Sequence, residues 1–155
     1  MTANEIFEKL KSQVGADKIE FQDNPLTPFV KVKADAIAQV AQFLKDTPDL
    51  GFDSLMCLTA VDNPANFTVV YFLFSMKHGH KVTLKVETPR DNPSVPTVEN
   101  TWAAADWFER EVYDLFGVKF SGHSNLVRIM LPDDWDGHPL RKDYQYPATY
   151  RGLPL

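Results

Sequence analysis

One cysteine, Cys57, stands in 155 residues, and that scarcity removes whole classes of chemistry. An iron–sulfur cluster is ordinarily held by about four thiolates, so this chain cannot hold one alone. Structural zinc sites are built from clustered cysteines and histidines, and the four histidines here are scattered. Cys57 lies among Leu55, Met56 and Leu58, where a small buried core residue is expected. Long apolar runs are missing too. The run Val69 to Phe74 falls far short of the ~20 residues that cross a bilayer. No basic leader precedes an apolar stretch near Met1, so no signal peptide is expected. Basic residues number 16 against 21 acidic ones, for a net charge of −5, and phosphate-driven nucleic-acid binding is not expected. G-x-G-x-x-G and G-x-S-x-G are both absent. The loop Gly117 to Ser124 imitates a phosphate loop, but His123 stands where lysine should be and a helical pattern precedes it.

What is there reads as one globular domain: 44% hydrophobic and 24% charged residues in a length typical of a single core. Thr2 and Glu5 have capping-box spacing ahead of Ile6, Phe7, Leu10 and Val14, which predicts a helix ended by Gly15. Strand-like runs follow at Ile19–Asp23 and Phe29–Lys33. From Asp35 a stripe of Ile37, Val40, Ala41 and Leu44 predicts a second helix that stops before Pro48. Three β-rich runs come next, Phe52–Val61, Phe67–Met76 and Lys81–Thr88, joined by turns short enough for hairpins. The order α-β-β-α-β-β-β predicts an α+β fold, a mixed or antiparallel sheet with helices on one face. His78 and His80, in the last of those turns, read as solvated.

After Thr88 the texture changes. A helix from about Ala103 to Phe116 carries Phe108, Val112, Leu115 and Phe116 as its apolar stripe. Asp106, Arg110 and Asp114 at i+4 predict a solvated ion-pair ladder worth about 0.3 kcal/mol per pair. Glu111 and Asp114 form a surface carboxylate pair. A short strand is expected at Leu126–Leu131. From Pro132 to Leu155 all periodicity stops, while Trp135, Tyr144, Tyr146 and Tyr150 persist among prolines and charges. The chain thus divides into an α+β domain, 1–131, and an extended partner-docking arm, 132–155. Two readings of function stay open on residues alone: a protein that binds another protein, and a metal-dependent hydrolase using His123, His138 and an intervening aspartate.

The segment Ala105-Asp106-Trp107-Phe108-Glu109-Arg110-Glu111-Val112-Tyr113-Asp114-Leu115-Phe116-Gly117-Val118-Lys119-Phe120 resembles the signature of the C subunit of respiratory complex I, the proton-pumping NADH:quinone oxidoreductase. The resemblance continues through Gly122-His123, Arg128-Ile129-Met130, Pro132-Asp133-Asp134-Trp135 and Gly137-His138-Pro139-Leu140-Arg141-Lys142-Asp143-Tyr144. Upstream, Leu50-Gly51-Phe52, Val61-Asp62, Val69-Val70-Tyr71 and Val95-Pro96-Thr97-Val98 also fit. One departure is Val127, where the family usually has a second basic residue.

The resemblance implies a stand-alone C subunit, without fusion to the quinone-site subunit. It implies a non-redox, non-catalytic peripheral-arm subunit that scaffolds electron transfer from NADH to quinone, coupled to proton translocation. FMN, iron–sulfur clusters and quinone would belong to other subunits, with no cofactor, metal or catalytic residue in this chain. The partners would be other peripheral-arm subunits, above all the quinone-site subunit, on the cytoplasmic face of the membrane without a span. The signature and interface candidates are Glu109, Arg110, Glu111, Tyr113, Asp114, His123, Arg128, Trp135, His138, Arg141, Lys142 and Tyr144. A homologous subunit of a membrane-bound hydrogenase or another quinone-reducing complex is the alternative.

Overall fold

The computed structural model describes residues Met1 to Pro154. The capping box forms as read: Glu5 N–H donates to Thr2 Oγ1 and Thr2 N–H donates to Glu5. It opens α1, Ala3–Val14, which buries Ile6, Leu10 and Val14 on one side. β1, Ile19–Gln22, and β2, Phe29–Val32, form an antiparallel pair. A 3-10 turn at Ala34–Ala36 leads into α2, Ile37–Asp46, which buries Ile37, Val40, Ala41 and Leu44. β3, Ser54–Asp62, β4, Asn66–Phe74, and β5, Lys81–Pro89, follow as antiparallel neighbours. The sheet order is β1-β2-β5-β4-β3, with β2 and β5 parallel. The mixed sheet expected from the element order is present. Among the described residues no helix is long and apolar enough to cross a membrane.

Alternation sets which side is core. Leu58, Tyr71, Leu84 and Val30 lie in register across four strands, and all are buried. A bulge between Leu55 and Cys57 inserts one residue, so Leu55 and Leu58 share the buried face at a spacing of three instead of two. The same bulge puts Cys57 beside Phe72, which is 39% exposed. Cys57 is therefore half-buried on the opposite face, a correction to its reading as core.

Tyr71 is fully buried and its hydroxyl has no hydrogen-bond partner; burial pushes its phenol well above the usual value, and Glu109 adds to the shift. A buried unsatisfied hydroxyl costs about 1–3 kcal/mol. Tyr71→Phe should therefore be neutral or stabilising by about 1 kcal/mol in urea unfolding, whereas a loss of that size would reveal a hydrogen bond to that hydroxyl.

Beyond the sheet, β6, Ser94–Pro96, pairs in parallel with β7, Lys119–Ser121. Between them runs α3, Ala104–Phe116. The strand expected at Leu126–Leu131 does not form. The chain there wraps a carboxylate instead, as described below. Its end carries a small hairpin, β8, Thr149–Tyr150, and β9, Leu153–Pro154.

Candidate functional site: the signature helix and the arm

Helix α3 buries Ala105, Glu109, Val112 and Asp114. Phe108, Leu115 and Phe116 are only partly buried, so the apolar stripe read from periodicity is half right. Two carboxylates occupy the inner face, and each ties down a segment from elsewhere in the chain.

Glu109, with no exposed surface, accepts the Val98 N–H at 2.8 Å and the Thr97 hydroxyl. It fixes the segment between β6 and α3. Burial drives its carboxyl up to about 7, and the nearby Glu99 and Asp106 charges push the same way. Together they outweigh the two hydrogen bonds, which favour the ionised form. The wholly buried His123 ring lies alongside. Its Nδ1 accepts the Asn125 N–H at 3.0 Å. Its Nε2 faces Asp106 Oδ1 at 3.3 Å and Glu109 Oε2 at 4.0 Å.

Asp114, also without exposed surface, lies on α3 just over one turn further on. Its Oδ1 accepts Arg128 Nη1 at 2.7 Å, and its Oδ2 accepts the N–H groups of Ile129, Met130 and Leu131 at 3.1, 2.7 and 2.9 Å. Three successive N–H groups converging on one oxygen curl the backbone, which is why no strand forms there. Burial pushes the Asp114 carboxyl up, but Arg128 and the three N–H donors outweigh it and hold it below the usual range. The ladder of Asp106, Arg110 and Asp114 therefore does not exist, nor does a solvated Glu111–Asp114 pair; Glu111 alone stays exposed. Arg110 donates from Nε to the Val127 carbonyl and stacks on Trp107 at 4.9 Å. At Val127 it is thus the backbone that makes the contact, while the side chain is exposed.

The last carbonyls of α3 are all satisfied. Gly117 N–H donates to Tyr113 O, His138 Nδ1 and Arg128 Nη1 donate to Asp114 O, Leu140 N–H donates to Leu115 O, and Arg141 Nε donates to Phe116 O. Cationic side chains at a helix C-terminus are favoured by its partial negative charge. Gly117 has φ +75°, and a Cβ there would come within 2.5 Å of the His138 ring. Only glycine lets the arm approach this closely.

The arm thus has two parts. Residues 135–142 are fastened to their own domain: Arg128 Nη2 holds the carbonyls of Trp135 and Gly137, and Lys142 N–H donates to Asp62. Asp62 is nearly buried and pairs with Arg90, which also reaches Asp143. Trp135 Nε1 donates to Tyr144 Oη, and Tyr144 Oη donates to the Asp136 carbonyl. Tyr113 meets the His138 ring edge-on at 6.2 Å. Further out, Asp134 accepts from Tyr150 and Arg151, which pull its carboxyl down to about 2. Tyr146 and Leu153 are about 70% exposed.

The candidate residues therefore do not converge on one reacting point. His123 and His138 bond to the Asp106 and Asp114 carbonyls, which are two turns, roughly 12 Å, apart along the helix, so the hydrolase reading loses its ligand pair. Sequence reasoning missed Arg90 and Glu99, and placed Asp62 and Thr97 only within family-like segments without a role. An aspartate closing the alternating strand of β3 was the available signal for Asp62. His80 was also misread: it is buried, donates to the Leu50 carbonyl and stacks on His78.

This fold is shared with two solved structures at 29–30% sequence identity. A solved structure of Nqo5, a trypsin-resistant fragment (1-134), superposes with a TM-score of 0.66 at 30% identity, covering 78% of this chain and 99% of that one. A chain of the membrane-bound sulfane sulfur reductase, an archaeal respiratory membrane complex, gives a TM-score of 0.75 at 29% identity over 92% of this chain and 85% of that one. The family model for the respiratory-chain NADH dehydrogenase 30 Kd subunit matches residues 30–150. The NADH-quinone oxidoreductase C subunit of Chlorobium phaeobacteroides is 40% identical over 96% of this chain and 92% of its own length. For the Chloroherpeton thalassium protein of that name, also 40% identical, the shares are 94% and 62%. The chain belongs to the family of the respiratory-chain NADH dehydrogenase 30 Kd subunit, which is the C subunit of NADH-quinone oxidoreductase.

Proposed function

We propose that this chain is a peripheral, non-redox and non-catalytic subunit of an NADH:quinone oxidoreductase. In that role it braces the electron path from NADH to quinone, coupled to proton translocation. It works on the cytoplasmic face of the membrane, against the subunit that forms the quinone site, and flavin, iron–sulfur clusters and quinone reside in other subunits. The family match across residues 30–150 carries this reading. The surface agrees with it: Trp107, Met130, Tyr146 and Leu153 are 61–70% exposed, and aromatic and methionine side chains with arginine are the groups that anchor interfaces. Of these, Trp107 lies on α3 and Met130 in the loop that Asp114 holds against it.

Purification of the tagged chain from native membranes tests it. NADH-oxidising and quinone-reducing activity should accompany the chain, and a chain that came away alone would overturn the reading. Its likeness to a chain of the sulfane sulfur reductase favours one alternative, a related respiratory complex with another acceptor, which the activity of the purified assembly separates. Trp107→Ala should leave the unfolding midpoint unchanged and weaken co-purification, since exposed side chains contribute within about 0.5 kcal/mol to folding. Limited proteolysis should cut the free chain beyond Tyr144 faster than the assembled one. Equal protection in both states would mean that the outer arm docks on nothing.

A further inference from the structure

Three carboxylates surround the His123 ring at the base of α3: Glu99 Oε2 at 3.4 Å from Nδ1, and Asp106 Oδ1 and Glu109 Oε2 at 3.3 and 4.0 Å from Nε2. They come from three separate pieces of chain. Glu99 lies after β6, Asp106 and Glu109 lie on α3, and His123 follows β7. Among the described residues no lysine or arginine pairs with any of the three acids. The titratable groups that face Glu109 are Glu99, Asp106, His123 and, from β4, Tyr71. One oxygen of the cluster, Asp106 Oδ1, is buried without a hydrogen-bond partner.

Glu109 is the one carboxylate of the three with no exposed side chain, while Asp106 is 38% and Glu99 11% exposed, so beside two like charges and no cationic partner it is Glu109 that ionises at the greatest cost. A cation or a proton at Glu109 relieves that cost. A metal ion on the Nε2 side is disfavoured by the ring itself. Nδ1 accepts the Asn125 N–H, so the ring's own proton sits on Nε2, which leaves no lone pair for a metal beside Asp106 and Glu109.

We propose that Glu99, Asp106, Glu109 and His123 form a proton-binding site that holds one proton beyond the imidazole's own and thereby clamps the 97–99 segment and the 121–127 turn onto α3. The clamp is built from bonds the cluster already makes. Glu109 holds Thr97 and Val98, Glu99 accepts Ser124 N–H at 2.7 Å, and the Arg110 bond to Val127 continues the same turn. Removing the proton sets like charges against each other across the three pieces, so the turn loosens. Burial raises the Glu109 carboxyl to about 7, so the folded chain binds more protons than the unfolded one between the ordinary glutamate value and there. The added stability is therefore full below the ordinary glutamate value, falls as pH rises from there to about 7 and levels off above it. This inference stands on the geometry of the chain alone and does not depend on the proposed complex.

The test uses the isolated full-length chain. Amide exchange of residues 122–127, corrected for its intrinsic pH dependence, should rise about tenfold between about pH 6 and pH 8, which corresponds to a tenfold difference in proton affinity between the clamped and loosened turn. The Glu109 side-chain carboxyl 13C signal should titrate over the same range. In Glu109→Gln the corrected exchange should be flat. Glu99→Gln, at the rim of the cluster, keeps the buried bonds of Glu109 and should move the midpoint to lower pH by removing a like charge. That variant keeps the proposal testable if Glu109→Gln does not fold. Flat exchange in the wild-type chain, or an unmoved midpoint in Glu99→Gln, would overturn it. So would protection of the turn by added zinc with loss of the carboxyl titration, because the site would then hold a metal.

Discussion

Asp114→Ala should cost about 3–5 kcal/mol of folding stability, because it strands a mostly buried guanidinium and three backbone N–H groups at once. Arg128 is 15% exposed, and Asp114 Oδ2 receives the N–H groups of Ile129, Met130 and Leu131. Asp114→Asn should recover only part of the loss, since its amide nitrogen is a donor placed where the site supplies only donors. The folded carboxyl is held below its ordinary value, so the contribution is present above the unfolded aspartate value of ~3.9 and is lost as pH falls through the folded one. Urea unfolding of the isolated chain at neutral pH and in acid measures both. A loss under about 1 kcal/mol would mean that the 128–131 loop finds other acceptors.

Phe67→Ala should have an effect of the same size by a different route. Phe67 is fully buried at the start of β4 and meets Phe116 edge-on at 6.4 Å. The guanidinium groups of Arg90 and Arg141 each lie 5.1 Å from its ring. Truncating a buried phenylalanine costs about 3–5 kcal/mol, and the two cation–π contacts add to that. Arg141 is also the arm's link to the Phe116 carbonyl, so the arm should loosen together with the core. Phe67→Leu separates the two effects. It restores most of the apolar volume, so the stability loss should shrink to about 1–2 kcal/mol, while trypsin cleavage after Arg141 or Lys142 stays faster than in the wild type. Unchanged cleavage would mean that the arm is held by Asp62 and the helix end alone.

Both predictions involve charges, Asp114 and Arg141, that a periodic reading places on the surface or in a free arm. Asp114 sits i+4 from Arg110, and on an isolated helix that spacing means a solvated pair. The true partner, Arg128, comes from the loop that Asp114 itself organises. Glu109 falls at a core position between Ala105 and Val112, where sequence patterning expects an apolar residue. Its burial became intelligible only with Thr97, Val98 and His123 around it. The arm looked structureless because its inner part is held by isolated bonds, from side chains and from single backbone groups, to the end of α3, to Arg128 and to Asp62, which leave no period in the sequence. The hairpin at Thr149–Pro154 turns on Arg151 and Gly152 at positive φ, a signal legible at Gly152 alone.

The sequence by itself determined the elements whose cause is local. The capping box of Thr2 and Glu5, the stripes of α1 and α2, the β-rich runs of three long strands and the stop at Gly117 all follow from neighbours within one or two turns or pleats. The resemblance in the α3 signature and beyond supplied the family, although the roles of the signature residues were hidden in it. Tertiary structure decided the rest: that β2 pairs in parallel with β5, that β6 finds β7 across an intervening helix, and that Glu109 and Asp114 face inward. The reason is hydrogen-bond accounting. Val98 and the segment 129–131 have N–H groups without regular backbone partners, and buried donors must be satisfied. A carboxylate can accept several of them at once, and only the folded chain shows which donors come to meet it.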